Sequence, residues 1–144
     1  CYDGERLFMS NGSHFLTIRD AQSFELIFNG AVTFNNQTLN ALATQNGLPL
    51  SRLNELECVG DSVYANVYQT DFILRISKLD GRVTGVIDAS GLLSPEQYAE
   101  LEAGREVLNG VAYKPDTDTF LITGKNWPSL FEVRFVPMPM EEAE

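Results

Sequence analysis

The sequence predicts an all-β fold that forms part of a β-propeller, and three observations lead to this prediction. Apolar and polar residues alternate between Val63 and Tyr68, as in a strand with two different faces. The pattern of Leu53–Cys58 returns at Leu108–Tyr113, and the strands that follow repeat at an offset of about 57 residues. A third copy begins near the start of the chain. Repeats of this length with three or four short strands each are typical of propeller blades.

The first repeat is predicted to contain three strands: Arg6–Ser10, His14–Arg19 and Phe24–Phe28. Asn11 and Gly12 separate the first two, and Asn-Gly between alternating runs is a strong hairpin signal. His14 is the only histidine, and beside a turn we interpret it as a surface or packing residue. Residues 31–49 are polar and interrupted, so we expect one strand and a long connection between blades there.

The second repeat runs from Leu53 to about Ala89, and a third repeat follows it. Asp80 and Gly81 are predicted to form the turn between the third and fourth strands of the second repeat. The third repeat ends at Val136. We expect the acidic tail that follows it to be frayed.

One short helix is predicted as an insertion between the second and third repeats. Ser94 can cap it, Pro95 suits its first turn and Gln97 stands at the third helical position. The helix is expected to continue to Ala103 and to end at Gly104. Its charged residues are interpreted as a solvated face.

Composition and charge exclude several classes of protein. The 144 residues, 44% of them hydrophobic, suffice for one folded domain and exclude a disordered chain. The net charge of -10 argues against a nucleic-acid surface, and no apolar run is long enough to span a membrane. We therefore expect partners that are small, neutral or cationic, and neither nucleic acid nor membrane.

The two cysteines, Cys1 and Cys58, are too few and too far apart in sequence for a zinc site or a disulfide scaffold. Both occupy the same place in their repeats, just before the turn that opens the next strand. This favours two small residues buried in the core. A disulfide between them is the alternative.

Candidate site residues stand at equivalent positions of the repeats. Asn54 and Asn109 precede the innermost strands of successive blades, and Tyr68 and Lys125 share one position after the second strand. Propellers gather such positions around the central channel, where ligands bind. The alternative for both asparagines is a hydrogen bond between blades, which we favour for Asn109. A solvated lysine is the default at Lys125, but the adjoining glycine and Trp127 suggest a shaped pocket.

No nucleophile elbow, Gly-rich phosphate loop, metal motif or Ser-His-Asp set occurs in the sequence. We therefore expect neither a metal nor another cofactor. From these residues alone, the sequence is interpreted as a propeller with polar groups at equivalent blade positions.

Five motifs follow one another over nearly the whole chain: Leu53–Glu57, Ala65–Asp71, Ile87–Leu93, Leu108–Tyr113 and Thr123–Val133. In this order they resemble the signatures of the plant and bacterial type of glutaminyl-peptide cyclotransferase. The resemblance implies a five-bladed β-propeller, an acyltransferase without a cofactor, and a secreted or periplasmic location. It also implies conversion of the N-terminal glutamine of a peptide or protein into pyroglutamate, with loss of ammonia.

The resemblance implies active-site roles for Asn54, Tyr68 and Lys125. Asn54 would donate an amide hydrogen to the developing oxyanion, and Lys125 would stabilise the same charge or hold a carboxylate in place. Tyr68 stands where the family more commonly has tryptophan, so it keeps an aromatic wall and adds a hydroxyl. We also expect Trp127 and Asn109 to contact the substrate. The family's acid/base glutamate, in a Gly-Glu-Gly context, would lie upstream of Cys1.

Residues 1–144 are therefore expected to form the C-terminal portion of one propeller domain, about two and a half to three blades, with the upstream blades missing. Closed propellers need at least four blades. Alone, the chain is expected to be inactive and to self-associate, aggregate or take missing blades from another chain. Two other functions are alternatives. One is a non-catalytic propeller that binds peptides or other ligands, and the other is a lyase or lactonase, which a single histidine disfavours.

Overall fold

The computed structural model describes residues 1–102 and 105–137. In these residues, antiparallel strands form most of the structure and two short helices join them. Three larger sheets follow one another along the chain, and in each the strands lie in the order of the sequence. In the same part of the chain, neither helix has the length and apolar character needed to cross a membrane. The predicted all-β class is confirmed.

The first sheet contains β1 (Arg6–Met9), β2 (Phe15–Asp20) and β3 (Leu26–Ala31). Asn11 and Gly12 lie in the turn between β1 and β2, as predicted, and the two strands pair antiparallel. The third strand starts two residues later than predicted. Phe24 has a positive φ of 60° and belongs to the preceding turn, where Asp20 accepts hydrogen bonds from the backbone N–H groups of Gln22 and Ser23.

The region from residue 31 to 49 contains a helix that the sequence analysis did not predict. A small hairpin, β4 (Thr33–Phe34) and β5 (Gln37–Thr38), leads into α1 (Leu39–Asn46). The Thr38 side chain accepts the N–H of Ala41 at the start of the helix, and Gly47 ends it in the left-handed conformation, with φ 64°. Leu39 is the one buried residue of α1, so the helix carries almost no apolar stripe that a sequence pattern could reveal.

The second sheet contains four strands: β6 (Leu53–Val59), β7 (Ser62–Val67), β8 (Phe72–Ser77) and β9 (Val83–Asp88). The predicted turn at Asp80 and Gly81 joins β8 to β9, with Gly81 at φ 69°. The sheet lies between the other two along the chain. Its side chains pack against both of them.

Helix α2 (Pro95–Glu100) follows, and then the third sheet, with β10 (Leu108–Lys114), β11 (Thr119–Gly124) and β12 (Phe131–Val133). The predicted cap of α2 is confirmed, because Ser94 and Gln97 hydrogen-bond to each other's backbone in a capping box. The predicted end of the helix at Ala103 and Gly104 lies outside the described residues, as does the tail from 138 to 144.

The second and third sheets repeat each other in detail. Leu53 pairs with Val67 and Leu108 pairs with Gly124, and in both sheets the register shifts directly after the leucine. A left-handed residue recurs every 57 positions, and it is found at Gly12, Gln69 and Asn126. These equivalences confirm the spacing that the sequence predicted.

Two apolar clusters hold the sheets together. The first contains side chains from the first and second sheets, including Phe8, Leu16 and Val63. The second contains side chains from the second and third sheets, including Ile73 and Leu108. Because side chains alternate across a strand, β7 and β8 contribute to both clusters. The sheets therefore pack face to face, with the second one in the middle.

The interpretation of Cys1 and Cys58 as separate core residues was wrong, because the two form a disulfide. Their sulfur atoms lie 2.08 Å apart and their Cα atoms 5.5 Å apart. The two residues stand 57 positions apart, which is one repeat. The cysteines occupy the same position in two neighbouring repeats. Because these repeats pack against each other, the two residues lie side by side.

Candidate functional site

Tyr68 and Lys125 occupy equivalent positions, and the structure brings their side chains together. Tyr68 directly follows β7 and donates its backbone N–H to the Arg52 carbonyl at 2.8 Å. Lys125 directly follows β11 and donates in the same way to the Val107 carbonyl at 2.9 Å. The Lys125 Nζ atom lies 5.1 Å from the centre of the Tyr68 ring. At that distance the ammonium group and the ring attract each other.

The backbone turns sharply just after each of these residues. Gln69 has a φ of 66° and Asn126 a φ of 57°, both in the left-handed region. Asparagine tolerates this conformation better than most residues. The turns direct the chain away from the strand ends and leave Tyr68 and Lys125 at one edge of the neighbouring sheets.

A cavity of about 550 Å³ opens at this edge. This volume is within the range of small-molecule sites. The lining is polar and charged rather than apolar. It consists of Tyr68, Lys125 and Asn126 from the strand ends, together with Glu102, Arg105 and Glu106 from the segment after α2.

Glu102, Arg105 and Glu106 form one wall of the cavity, and hydrogen bonds fasten the chain before and after these residues. At one end, the Tyr98 hydroxyl donates to the Asp71 carboxylate, with both oxygens at 3.0 Å. Burial, and then the bond to Asp71, raise the pKa of the Tyr98 hydroxyl, so it stays protonated as a donor at neutral pH. At the other end, the Trp127 Nε1–H donates to the Glu106 carbonyl at 3.4 Å.

The Glu106 carboxylate is fixed in this wall by two hydrogen bonds. Its Oε2 accepts the backbone N–H of Glu102 at 2.7 Å, and its Oε1 accepts from Asn126 Nδ2 at 2.9 Å. These bonds, the one from Glu102 first, lower the pKa of the Glu106 carboxyl. The group is therefore a carboxylate at neutral pH.

The two predicted asparagines lie in the irregular stretches that begin β6 and β10. The Asn54 carbonyl accepts the Ser10 hydroxyl at 2.6 Å, which links the first and second sheets through the backbone. Asn109 Oδ1 is buried and has no hydrogen-bond donor among the described residues. That oxygen therefore does not make the hydrogen bond between repeats that we favoured for Asn109.

Trp127 lies against the turn after β11 instead of among the residues that line the cavity. Its indole covers Gly124 so closely that a Cβ atom there would come within 2.3 Å of the ring. The indole also meets the Phe131 ring edge-on, with ring centres 6.3 Å apart. Trp127 thus packs against the backbone directly before Lys125.

Two polar residues near the site were not singled out from the sequence. Asn66 is fully buried, two positions before Tyr68, and neither its Nδ2 nor its Oδ1 has a partner among the described residues. In the sequence, Asn66 stands among the polar residues that alternate between Val63 and Tyr68, so its burial was not predicted. Glu106 follows the predicted end of the helix at Gly104, and no motif or repeat position drew attention to it.

Loss of the Tyr98 hydroxyl is expected to loosen the wall of the cavity. Tyr98→Phe removes both hydrogen bonds to Asp71, and one such bond at a half-exposed site contributes about 1 kcal/mol. Amide hydrogen exchange within α2 should then become about fivefold faster, while the three sheets keep their protection. Tyr2→Phe is the matched control, since Tyr2 bonds to the nearby Gly4 carbonyl. Equal exchange in the two variants would show that Tyr98 does not hold the helix.

Comparison with known proteins gives three further findings. The family model described as glutamine cyclotransferase matches residues 1–135. The chain is 36% identical over 135 residues to the glutaminyl-peptide cyclotransferase of Arabidopsis thaliana, a match that covers 92% of this chain and 38% of the relative. The crystal structure of Myxococcus xanthus glutaminyl cyclase matches with a TM-score of 0.78 and 34% identity, covering 93% of this chain and 53% of that one.

A more distant structure shares the fold alone. Dihydro-heme d1 dehydrogenase NirN matches with a TM-score of 0.53 and 12% identity, over 92% of this chain and 24% of that one. The chain thus spans well under two thirds of the length of each of these relatives.

Proposed function

Because the chain belongs to the glutamine cyclotransferase family, we propose that the whole protein converts the N-terminal glutamine of a peptide or protein into pyroglutamate and releases ammonia. The match of the family to residues 1–135 carries this proposal. The pairing of Lys125 with Tyr68 at the edge of a polar cavity agrees with it. The substrate would then be a polypeptide end, and no metal or cofactor enters the reaction.

We further propose that the three sheets are blades of a five-bladed propeller. Their common strand order and the 57-residue spacing of their left-handed residues support a repeated blade. In this proposal, residues 1–144 supply the C-terminal portion of one propeller domain, and the remaining blades come from the rest of the whole protein or from another chain.

The reaction forms one bond and breaks another. The α-amine nitrogen of glutamine attacks the carbon of its own γ-carboxamide, and the amide nitrogen leaves as ammonia. The attack needs an unprotonated amine, the carbonyl oxygen becomes negative, and the leaving nitrogen needs a proton. A site for this chemistry therefore needs a cation or N–H donors at the oxygen and one group that carries a proton from the amine to the leaving nitrogen.

Lys125 and Asn54 are proposed as the groups that stabilise the oxyanion. The Lys125 ammonium lies at the cavity, and a preorganised donor of this kind contributes about 3 to 4 kcal/mol to the stabilisation of a transition state. Asn54 has an amide that can donate a second hydrogen bond, and its backbone is held by Ser10. The proton carrier is assigned to a carboxyl group outside these residues, because no Gly-Glu-Gly sequence occurs in the chain.

Tyr68, Asn109 and Trp127 are proposed to bind the substrate. The Tyr68 ring supplies an aromatic wall beside Lys125. The buried Asn109 Oδ1 lacks a donor within the described residues, and a substrate N–H would remove the cost of that unpaired oxygen. Trp127 would contribute to this binding from its place beside the turn at Lys125, where its indole packs on Gly124.

Ammonia release tests the proposed function. The whole protein is incubated with a Gln-initiated tripeptide, ammonia is measured in a coupled assay, and mass spectrometry follows conversion of the peptide N-terminus. Turnover of this peptide, with none of an Ala-initiated control, is the expected result. Binding of the Gln-initiated peptide without ammonia release would support the alternative, a non-catalytic propeller that binds peptides.

A further inference from the structure

We propose that Glu106 makes the enzyme prefer substrates in which lysine or arginine follows the N-terminal glutamine. The inference depends on the proposed function, because it assigns the cavity at Lys125 to a Gln-initiated peptide. It goes beyond that function by assigning a second contact, to the next residue of the peptide.

The position and rigidity of Glu106 are the first support. Its carboxylate lines the same cavity as Lys125 and Tyr68. Hydrogen bonds from the Glu102 backbone and from Asn126 hold the two oxygens at 2.7 and 2.9 Å from their donors. Each oxygen can accept a further hydrogen bond. A cationic side chain would therefore meet an acceptor that is already oriented.

The charges around the cavity are the second support. Glu102 is paired with Arg105 at 3.0 Å, and the Lys125 ammonium lies over the Tyr68 ring. All ten lysine and arginine side chains belong to the described part of the chain, and none places a nitrogen within 4.0 Å of the Glu106 carboxylate. Arg105 attracts Glu106 through space but forms its close ion pair with Glu102, so Glu106 is the carboxylate of the cavity lining without an ion pair of its own.

The size of the cavity is the third support. The glutamine carbonyl must lie at Lys125 for the chemistry, and about 550 Å³ leaves room for part of the next residue. Glu106 lines the same cavity, so the side chain of that next residue would reach its carboxylate. An exposed ion pair of this kind changes binding by a factor of about five, and glutamate in the same place would be repelled.

Three tripeptides with the whole protein test the inference: Gln-Arg-Ala, Gln-Ala-Ala and Gln-Glu-Ala. At low ionic strength, kcat/KM should be at least about fivefold higher for Gln-Arg-Ala than for Gln-Glu-Ala. Glu106→Gln keeps an oxygen acceptor but removes the charge, so this ratio should fall towards one. Glu100→Gln, which neutralises an exposed glutamate of α2 away from the cavity lining, should keep the ratio of the unchanged enzyme.

Two outcomes would overturn the inference. One is an unchanged ratio in Glu106→Gln. The other is an equal loss of kcat/KM on all three peptides, which would place Glu106 at a group that every substrate shares, such as the α-amine.

Failure of the proposed function is a separate result. If no Gln-initiated peptide releases ammonia, calorimetry with pyroglutamyl-Arg-Ala and pyroglutamyl-Glu-Ala decides the matter. Tighter binding of the arginine peptide, lost in Glu106→Gln, would support the role of Glu106 without catalysis. Equal binding of the two peptides would overturn it.

Discussion

Lys125→Ala in the whole protein is expected to lower kcat for pyroglutamate formation by at least about a hundredfold. The Lys125 ammonium lines the cavity, and removal of one preorganised oxyanion donor commonly costs this much. The strands should be unaffected, because Lys125 lies beyond the end of β11 and its backbone N–H bond to Val107 does not depend on the side chain. Initial rates of ammonia release and circular dichroism measure the two effects.

Two further variants sharpen this experiment. Lys125→Arg should fail to restore kcat, since a forked guanidinium does not fit a site for a compact ammonium. Lys114→Ala is the matched control, because it removes a half-exposed lysine of β10 that pairs with Glu132 at 3.0 Å outside the cavity. It should keep normal turnover. Normal turnover by Lys125→Ala would remove this lysine from the mechanism.

Cys58→Ser is expected to lower the free energy of unfolding by about 4 kcal/mol, because the disulfide closes a loop of 57 residues. The cross-link restricts the unfolded chain, and the restriction grows with the length of the loop. Serine keeps the size of the side chain, so the change isolates the loss of the bond. Urea unfolding, followed by circular dichroism, gives the difference.

Reduction supplies the control for this second experiment. The unchanged protein in a thiol reductant should unfold at the same urea concentration as Cys58→Ser, while the reductant should have no effect on the variant. If the oxidised protein and the variant unfold at the same urea concentration, the disulfide contributes nothing to stability.

Local sequence signals predicted most of the strands and one helix. Two turns are specified by backbone preference alone, at Asn11-Gly12 and at Asp80-Gly81. The cap of α2 is specified within four residues, by Ser94 and Gln97. Helix α1 escaped prediction for the opposite reason. Its cap at Thr38 is local, but its single buried residue leaves no periodic pattern to separate it from a polar loop.

The repeat in the sequence predicted the pairing of Tyr68 with Lys125 but not the position of Glu106. Tyr68 and Lys125 could be paired from the sequence because the repeat gives them the same position, and the structure places them together. Glu106 lies between α2 and β10, and the residue 57 positions before it is Pro49, so the repeat offered no polar partner for it. Its place in the cavity depends on long-range contacts, through Tyr98 to Asp71 and through Asn126, that no local pattern records.

The shared position of Tyr68 and Lys125 has a consequence for how such a site can originate. When a repeated unit packs on its own copy, tandem duplication of the encoding segment places two identical residues near each other. No new packing contact has to evolve for this. A single later substitution in one copy then turns the identical pair into a complementary one, here an aromatic ring and a cation. Divergence between copies can thus create chemistry in a scaffold whose fold is already stable.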